Sequence, residues 1–366
     1  SNWKINFWEP VTGKKEIANI TRVLKENYPN EGKYTKIFEK KIQKLLKVKH
    51  AICVTSGTIG IFLALKSLGI SEKDEVIIPD LTFGATAMAV KLTGAKLVLV
   101  DINFKNLSYN IKDLKKKITN KTKAIIPVHI SGRAADMSAL MSISKNKKIY
   151  VVEDAAEAFL SKYKKKYLGT IGKLGCFSLT ASKTITTGQG GIIVTNDTKL
   201  FKKIKLLKNQ GISGPSNAGN VIHETIGWNF KFTNLQAAMG LAQLINIKKR
   251  IKKLKEINRL YKKQLKEVKE IKILNFDLKN GEVPLWTDAY CLNRNNLIRF
   301  LEKKGIECRK YWYPMHQQKP FKISGKKFKE ATKLSQNLFW LPSSLHLSKK
   351  QILYVCNLIK FYFKNK

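Results

Sequence analysis

Lys183 sits among small and hydroxyl-bearing neighbours in the run Phe177-Ser-Leu-Thr-Ala-Ser-Lys-Thr-Ile-Thr-Thr-Gly-Gln-Gly-Gly191. Glycine-rich surroundings suit a lysine whose bound group approaches the backbone closely. A lysine amine can form a Schiff base with a carbonyl compound. Two further features match this chemistry. The run Ile149-Tyr-Val-Val-Glu-Asp154 ends in a carboxylate, and Ala51-Ile-Cys-Val-Thr-Ser-Gly-Thr58 ends at a small-residue turn that opens a helical pattern. Pyridoxal 5'-phosphate (PLP) chemistry needs an amine, a carboxylate that keeps the pyridine ring protonated, and backbone donors at a helix N-terminus that hold the phosphate. Read singly, each feature has an ordinary alternative: Asp154 caps the next helix, and Ser56-Gly57-Thr58 is a turn and N-cap.

Groups so far apart in sequence are brought together most simply at the ends of neighbouring strands. Apolar runs predict strands at His50–Val54, Glu75–Pro79, Lys96–Asp101, Ala124–Ile130, Ile149–Asp154, Cys176–Leu179 and Gly191–Thr195. Several are continuous Val/Ile/Leu runs without alternation, as expected for strands buried on both faces of a mostly parallel sheet. After Thr58, the residues Phe62, Leu65 and Leu68 recur at helical spacing and stop at Gly69, a C-cap signal. The βα alternation reads as a three-layer α/β domain. The pattern changes near residue 235. Leu235–Leu244 is Ala-rich and helical, and a basic helix with Ile251, Leu254, Ile257 and Tyr261 follows. Strands are expected at Val268–Phe276 and around Trp286–Leu292, and a helix at Leu297–Lys304 ending at Gly305. The expected division is a large domain over 1–245, with the N-terminal segment, and a smaller α+β domain over 246–366.

The chain has 366 residues, 43% of them hydrophobic, enough for a large core and for two domains. No apolar run is long enough to span a bilayer, and the start lacks the apolar stretch of a signal peptide. The five cysteines, Cys53, Cys176, Cys291, Cys308 and Cys356, are scattered and lack CxxC spacing. That argues against a disulfide framework or a zinc site and points to a reducing cytoplasm. The five histidines show no metal-ligand spacing, and no metal is expected. A net charge of +43 raises the question of a nucleic-acid or anionic-membrane surface. The lysines are spread along the whole chain and Arg is scarce, which favours compositional bias and no nucleic-acid partner.

In order and spacing, the chain resembles the DegT family of PLP-dependent nucleotide-sugar aminotransferases, which have PLP fold type I, the aspartate aminotransferase fold. The resemblance runs through Phe38-Glu39, Thr55-Ser-Gly-Thr58, Pro79-Asp-Leu-Thr-Phe-Gly-Ala-Thr86, Val128-His-Ile-Ser-Gly132, Glu153-Asp-Ala-Ala-Glu157, the lysine run, Gly227-Trp-Asn-Phe-Lys231 and Arg309 to His316. It implies that Lys183 is the Schiff-base lysine and that its freed amine then moves the substrate proton. Family members that are sugar dehydratases carry histidine there, so the lysine implies transamination. The resemblance places Asp154 at the pyridinium nitrogen. Glu157 falls at the cofactor's phenolic oxygen, where many relatives have Gln or His. Gly57, Thr58 and Ser178 fall at the phosphate, and Phe83 against the ring, although a core aromatic reads equally well there. Met88 stands where relatives often have Asn. Asn229 matches a residue that reaches the phosphate from the neighbouring subunit, which implies a homodimer with shared sites. Arg309 and His316 match the substrate-binding segment. His129 reads either as a cofactor neighbour or as a satisfied core histidine.

The implied activity is transfer of an amino group from L-glutamate to a nucleotide-linked 4-keto-6-deoxy sugar, with PLP cycling through pyridoxamine phosphate. Glu157 and the segment Gly305-Ile-Glu-Cys-Arg309 to His316 are similar to GDP-perosamine synthases, whose product would feed O-antigen lipopolysaccharide or a similar surface glycan. An aminotransferase for a dTDP- or UDP-linked 3- or 4-keto sugar is the alternative within the family. A non-catalytic, basic nucleic-acid-binding protein is the alternative outside it.

Overall fold

The computed structural model describes residues 3–214, 221–323 and 328–365. Nine strands precede residue 200: β1 His50–Val54, β2 Glu75–Pro79, β3 Lys96–Val100, β4 Thr122–Ile125, β5 Tyr150–Asp154, β6 Lys162–Tyr163, β7 Lys166–Tyr167, β8 Leu174–Ser178 and β9 Gly191–Thr195. Seven of them form one sheet in the order β1-β9-β8-β5-β4-β2-β3, and β6 and β7 make a separate hairpin. The pairs β8–β5, β5–β4, β4–β2 and β2–β3 are parallel, and only β9 runs against its two neighbours, β1 and β8. This is the mostly parallel sheet that the unbroken apolar runs predict.

Alternate residues of each strand feed opposite cores, because successive side chains point to opposite faces. In β1, Ile52 and Val54 pack with the helices Gly57–Ser67 and Gly84–Leu92. Ala51 and Cys53 pack with Phe38, Ile42 and Leu46 of the helix Lys33–Leu46 and with Ala237 and Leu241 of the helix Asn234–Ile245. Both faces are therefore covered and the domain is three-layered. Gly69, at φ +78°, provides the left-handed residue just past the helix Gly57–Ser67.

The strand expected at Ala124–Ile130 is shorter than its apolar run. Pro127 has no N–H to give to a ladder, so β4 stops at Ile125. Val128 keeps one isolated bridge to Asp154, and Ile130–Gly132 turns sharply with Ser131 at φ +53°. The C-terminal sheet contains β10 Lys272–Ile273, β11 Thr287–Tyr290, β12 Arg309–Lys310 and β13 Leu338–Leu341 in the order β10-β11-β13-β12. The expected strand Val268–Phe276 is reduced to its centre, and the expected helix begins earlier, spanning Arg294–Lys303. The third core joins Tyr261, Leu297, Phe339 and Val355 beneath this sheet. The N-terminal segment joins it as well: Lys4 and Ile5 donate to Gly305 O, and Glu307 donates back to Ile5 O.

One close approach couples the sheet to the helix that follows β1. A Cβ on Gly191 would lie 2.3 Å from Ser56 O and 2.7 Å from Gly57 N. Gly191→Ala should therefore cost about 2–3 kcal/mol of stability through overpacking. Denaturant unfolding checks it: the midpoint should fall with an unchanged slope, and an unmoved midpoint would show that the turn yields.

Candidate active site

A cavity of about 520 Å³ opens at the C-terminal ends of β5 and β8 and the start of the helix Gly57–Ser67. Its wall brings together Gly57, Thr58, Phe83, Asp154, Glu157, Ser178, Lys183 and Arg309. These are eight of the ten residues singled out in the sequence. The strands β1, β5 and β8 run the same way, so the turns after them face one edge of the sheet, where open α/β sheets bind ligands.

The Ser56 hydroxyl caps the helix by accepting from Ile59 N at 3.2 Å, and Ser56 O accepts from Gly60 N. The first helical N–H groups, those of Gly57 and Thr58, have no intrahelical acceptor and lie at the positive end of the helix dipole. A Cβ on Gly57 would lie 3.1 Å from Ser178 Cβ, so a larger residue would press on the hydroxyl-bearing side of this cradle. Backbone donors, Thr58 and Ser178 together suit a phosphate.

Asp154 ends β5 and is buried. Thr86 Oγ1 donates to its Oδ2 at 2.7 Å and Ala156 N to its Oδ1 at 3.1 Å. Burial pushes its carboxyl above the usual range, against the Thr86 and Ala156 hydrogen bonds and the charge of Lys183. Thr82 extends the hydroxyl chain, with Oγ1 3.0 Å from Thr86 Oγ1. Burial also pushes Glu157 up, with the charge of Lys183 the main opposing effect. Glu157 Oε1 lies 3.3 Å from Lys183 Nζ, and Oε2 accepts from Ser131 N at 2.8 Å. Lys183 Nζ also lies 5.0 Å from the centre of the Trp286 ring. Helix-terminal N–H donors at one end and a buried carboxylate bonded by Thr86 and Ala156 at the other would suit a phosphate and a cationic pyridine nitrogen. The residues present fit PLP.

Phe83 is largely exposed at the mouth, with its ring centre 6.1 Å from that of Trp312. Arg309 is exposed beside it, pairs with Glu307 Oε1 at 3.1 Å and lies over Phe7, 4.8 Å from the ring centre. Two of the ten residues lie outside this wall. Asn229 is exposed and bridges Asn209. His316 is buried behind the wall, where its Nδ1 meets Asp80 Oδ2 at 2.6 Å and its ring stacks on Phe328. Met88 is half exposed. His129 is a satisfied core histidine: its Nε2 meets Glu153 Oε2 at 2.9 Å, and its Nδ1 accepts from Ala135 N.

Sequence reasoning missed Phe7, Trp286, Trp312 and Trp340, which also line the cavity. Tryptophan is rare enough in any chain to be a signal, and Trp286 and Trp312 lie within segments already noted. Phe7 carried no local pattern. Its place follows from Glu307 Oε2 accepting from its N–H at 2.8 Å, and Trp8 Nε1 donates to Ala181 O, two residues before Lys183.

The DegT/DnrJ/EryC1/StrS aminotransferase family model matches residues 10–360. The GDP-perosamine synthase of Escherichia coli O157:H7 is 36% identical over 99% of this chain and 99% of its own. That of Vibrio cholerae is 35% identical over 98% of this chain and 99% of its own. A DegT DnrJ EryC1 StrS aminotransferase from Brucella abortus superposes with a TM-score of 0.88 at 26% identity, covering 95% of each chain.

Asp154 has a raised folded-state pKa, so it takes up its charge at higher pH in the folded chain than in the unfolded one. Stability is then lost as pH rises from the unfolded value through the folded one. Without cofactor, Asp154→Asn should melt no lower than the parent at pH 7, and its advantage should vanish in acid, where both forms are neutral. Thermal melts of the two apoproteins from pH 3 to 8 test this; a variant that melts lower than the parent at pH 7 would contradict it.

Proposed function

The chain belongs to the DegT/DnrJ/EryC1/StrS aminotransferase family, and we propose that it transfers an amino group from L-glutamate to a GDP-linked 4-keto-6-deoxyhexose. The family's enzymes are PLP-dependent sugar aminotransferases, and so is this one. The observation that carries the reading is the cavity itself: Lys183, Glu157, Asp154 and the phosphate cradle share one wall. The two GDP-perosamine synthases that match almost end to end support the choice of nucleotide and of the 4-keto carbon.

Bound PLP supplies the electron sink that stabilises negative charge at the carbon losing its proton. In this reading Asp154 holds the ring nitrogen protonated, and Thr86 fixes the carboxylate that does so. Gly57, Thr58 and Ser178 would anchor the phosphate, and Phe83 would border the ring from the mouth. Lys183 would hold the cofactor through its amine and, as a free amine, would move the proton at the substrate carbon. Glu157 keeps the amine within reach, and the Trp286 face limits where else it can swing. Phe7, Trp286 and Trp340 keep water from the reacting atoms. Arg309 and Lys310 at the mouth meet the anionic parts of donor and acceptor. His316, gripped by Asp80, shapes the segment behind Arg309.

We place Asn229 at the site of a second subunit. It is exposed and does not line its own chain's cavity, and its segment also exposes Ile222 and Ile226. The enzyme would then be a homodimer. None of the described helices is long and apolar enough to cross a membrane. A cytoplasmic supply of amino sugar for an O-antigen or similar surface glycan fits this reading.

Lys183→Ala should fold and lose turnover, and borohydride reduction of the parent should leave the cofactor's mass on a Lys183 peptide. Mass-spectrometric readout of a panel of GDP-, dTDP- and UDP-linked 3- and 4-keto sugars with glutamate should give the aminated product with the GDP-linked 4-keto sugar. Labelling of another lysine sinks the catalytic assignment, and amination of only a dTDP- or UDP-linked sugar sinks the substrate.

Mixing inactive Lys183→Ala chains with inactive Asn229→Ala chains tests the shared site. If the two residues serve one site from opposite subunits, a hybrid dimer has one doubly damaged site and one intact site. Activity should then return after subunit exchange. If Asn229 serves its own chain, every hybrid site is damaged and activity stays absent.

A further inference from the structure

The strained turn at Ser131 joins the Lys183–Glu157 pair to a buried carboxylate on the C-terminal sheet. Ser131 has φ +53° and ψ +18°, a left-handed conformation that is strained for a residue with a Cβ. Gly132 follows at φ +90°, where a Cβ would meet Val283 O at 1.9 Å. The turn is held on all sides. Leu285 N donates to Ser131 O at 2.8 Å, and Ser161 Oγ donates to Gly132 O at 2.6 Å. Ser131 Oγ donates to Asp288 Oδ1 at 2.8 Å. The outcome of this restraint is one N–H aimed at the active site: Ser131 N donates to Glu157 Oε2 at 2.8 Å, leaving Oε1 for Lys183.

Asp288, on β11, is fully buried and collects four donors. Trp340 Nε1, at 2.8 Å, and the Tyr311 hydroxyl join Ser131 at Oδ1, and Arg133 Nη2 donates to Oδ2 at 2.8 Å. Trp340 lines the cavity, so Asp288 reaches the site twice, through Ser131 to Glu157 and through the indole to the wall. Stability is a poor reason for this cluster. A buried ion pair often contributes no more than an apolar replacement would, and here Arg133 Nη1 is buried without a hydrogen-bond partner among the described residues. Backbone strain persists where surrounding structure over-determines it, and such places cluster at functional sites.

We propose that Asp288 and Ser131 are positioning residues that set Glu157, and through it the amine of Lys183, from the C-terminal sheet. The proposal rests on the reading that Lys183 is the reacting amine and Glu157 holds it in place. Asp288 touches neither substrate nor cofactor. It fixes the turn, the turn fixes which oxygen of Glu157 is occupied, and the free oxygen fixes the amine. Without the anchor, Ser131 can relax out of its left-handed conformation and Glu157 loses its backbone donor. A side chain that loses its place by about 1 Å can cost about a hundredfold in rate while binding persists.

The test uses the PLP-loaded enzyme with Ser131→Ala, Ser131→Gly, Asp288→Asn and Lys183→Ala. Three quantities are read: the melting temperature, the pH titration of the bound cofactor's near-ultraviolet to violet absorbance, and kcat and KM for the amino donor. The expected result is a shifted titration midpoint with kcat down about tenfold or more and KM little changed, in folded Ser131 and Asp288 variants. Ser131→Gly carries no Cβ penalty in the left-handed conformation and should lose no more than Ser131→Ala, which keeps the strain without the anchor. An unshifted midpoint with parental kcat in the folded variants overturns the proposal. If Asp288→Asn does not fold, the two Ser131 variants decide alone. Retained turnover in Lys183→Ala would refute the reading of the site itself, whereas a dead Lys183→Ala beside parental Ser131 variants would refute only this inference.

Discussion

The structure turns on carboxylates buried beside one lysine. Asp154 and Glu157 are taken from water at the end of β5, and among the described residues Lys183 is the lysine that pairs with them. Burying charge is expensive, so a folded chain tolerates it only with donors, counter-charge or a change of protonation. Here the chain supplies neutral donors, Thr86, Ala156 and Ser131, and a single amine. The shortfall in positive charge is what a protonated pyridine ring would make good. Anything that binds only the folded state adds to its stability, so the cofactor would also return part of what the empty site costs.

The sheet explains why these groups meet. β5 lies at the centre of the order, with β8 beside it and β1 beyond β9. Because β1, β5 and β8 run the same way, Thr58, Asp154 and Ser178 fall at one edge although they are far apart in the chain. The reversed β9 then returns Gly191 close enough to touch Ser56 and Gly57. The segment carrying Lys183 is the connection between β8 and β9, so its place is set by two strands that pair residue by residue from Ser178↔Gly191.

Much of this was legible because it is local. The strands were visible as apolar runs, the cradle as small residues after β1, and Lys183 by its neighbours. What was not legible depends on long-range packing. The run to Ile130 looked like strand until Pro127 broke its ladder, and the turn that resulted became the support for Glu157. His316 stands in a segment that does reach the cavity, but the buried charge of Asp80 takes its ring away from the opening. Phe7 is the clearest case: no pattern near residue 7 foretells a wall position that Glu307, three hundred residues later, fixes by one hydrogen bond.

Much of the aromatic wall is assembled from outside the large sheet, so the C-terminal part of the chain helps to enclose the cavity. Trp340 packs edge-on against Trp286 and Trp312 and stacks on Tyr311, which is itself tilted against Trp312, so their positions are set jointly rather than by separate rotamers. An apolar wall lowers the local dielectric and strengthens every charge interaction inside it, favourable or not. The polar ends of that wall must then be satisfied behind it, and Asp288 is where Trp340 and Tyr311 both bond. A carboxylate that a sheet of the C-terminal unit must bury in order to hold its aromatics is thereby available to hold the Ser131 turn as well. The same buried charge thus fixes the wall and the support of Glu157, and neither can shift without disturbing the other.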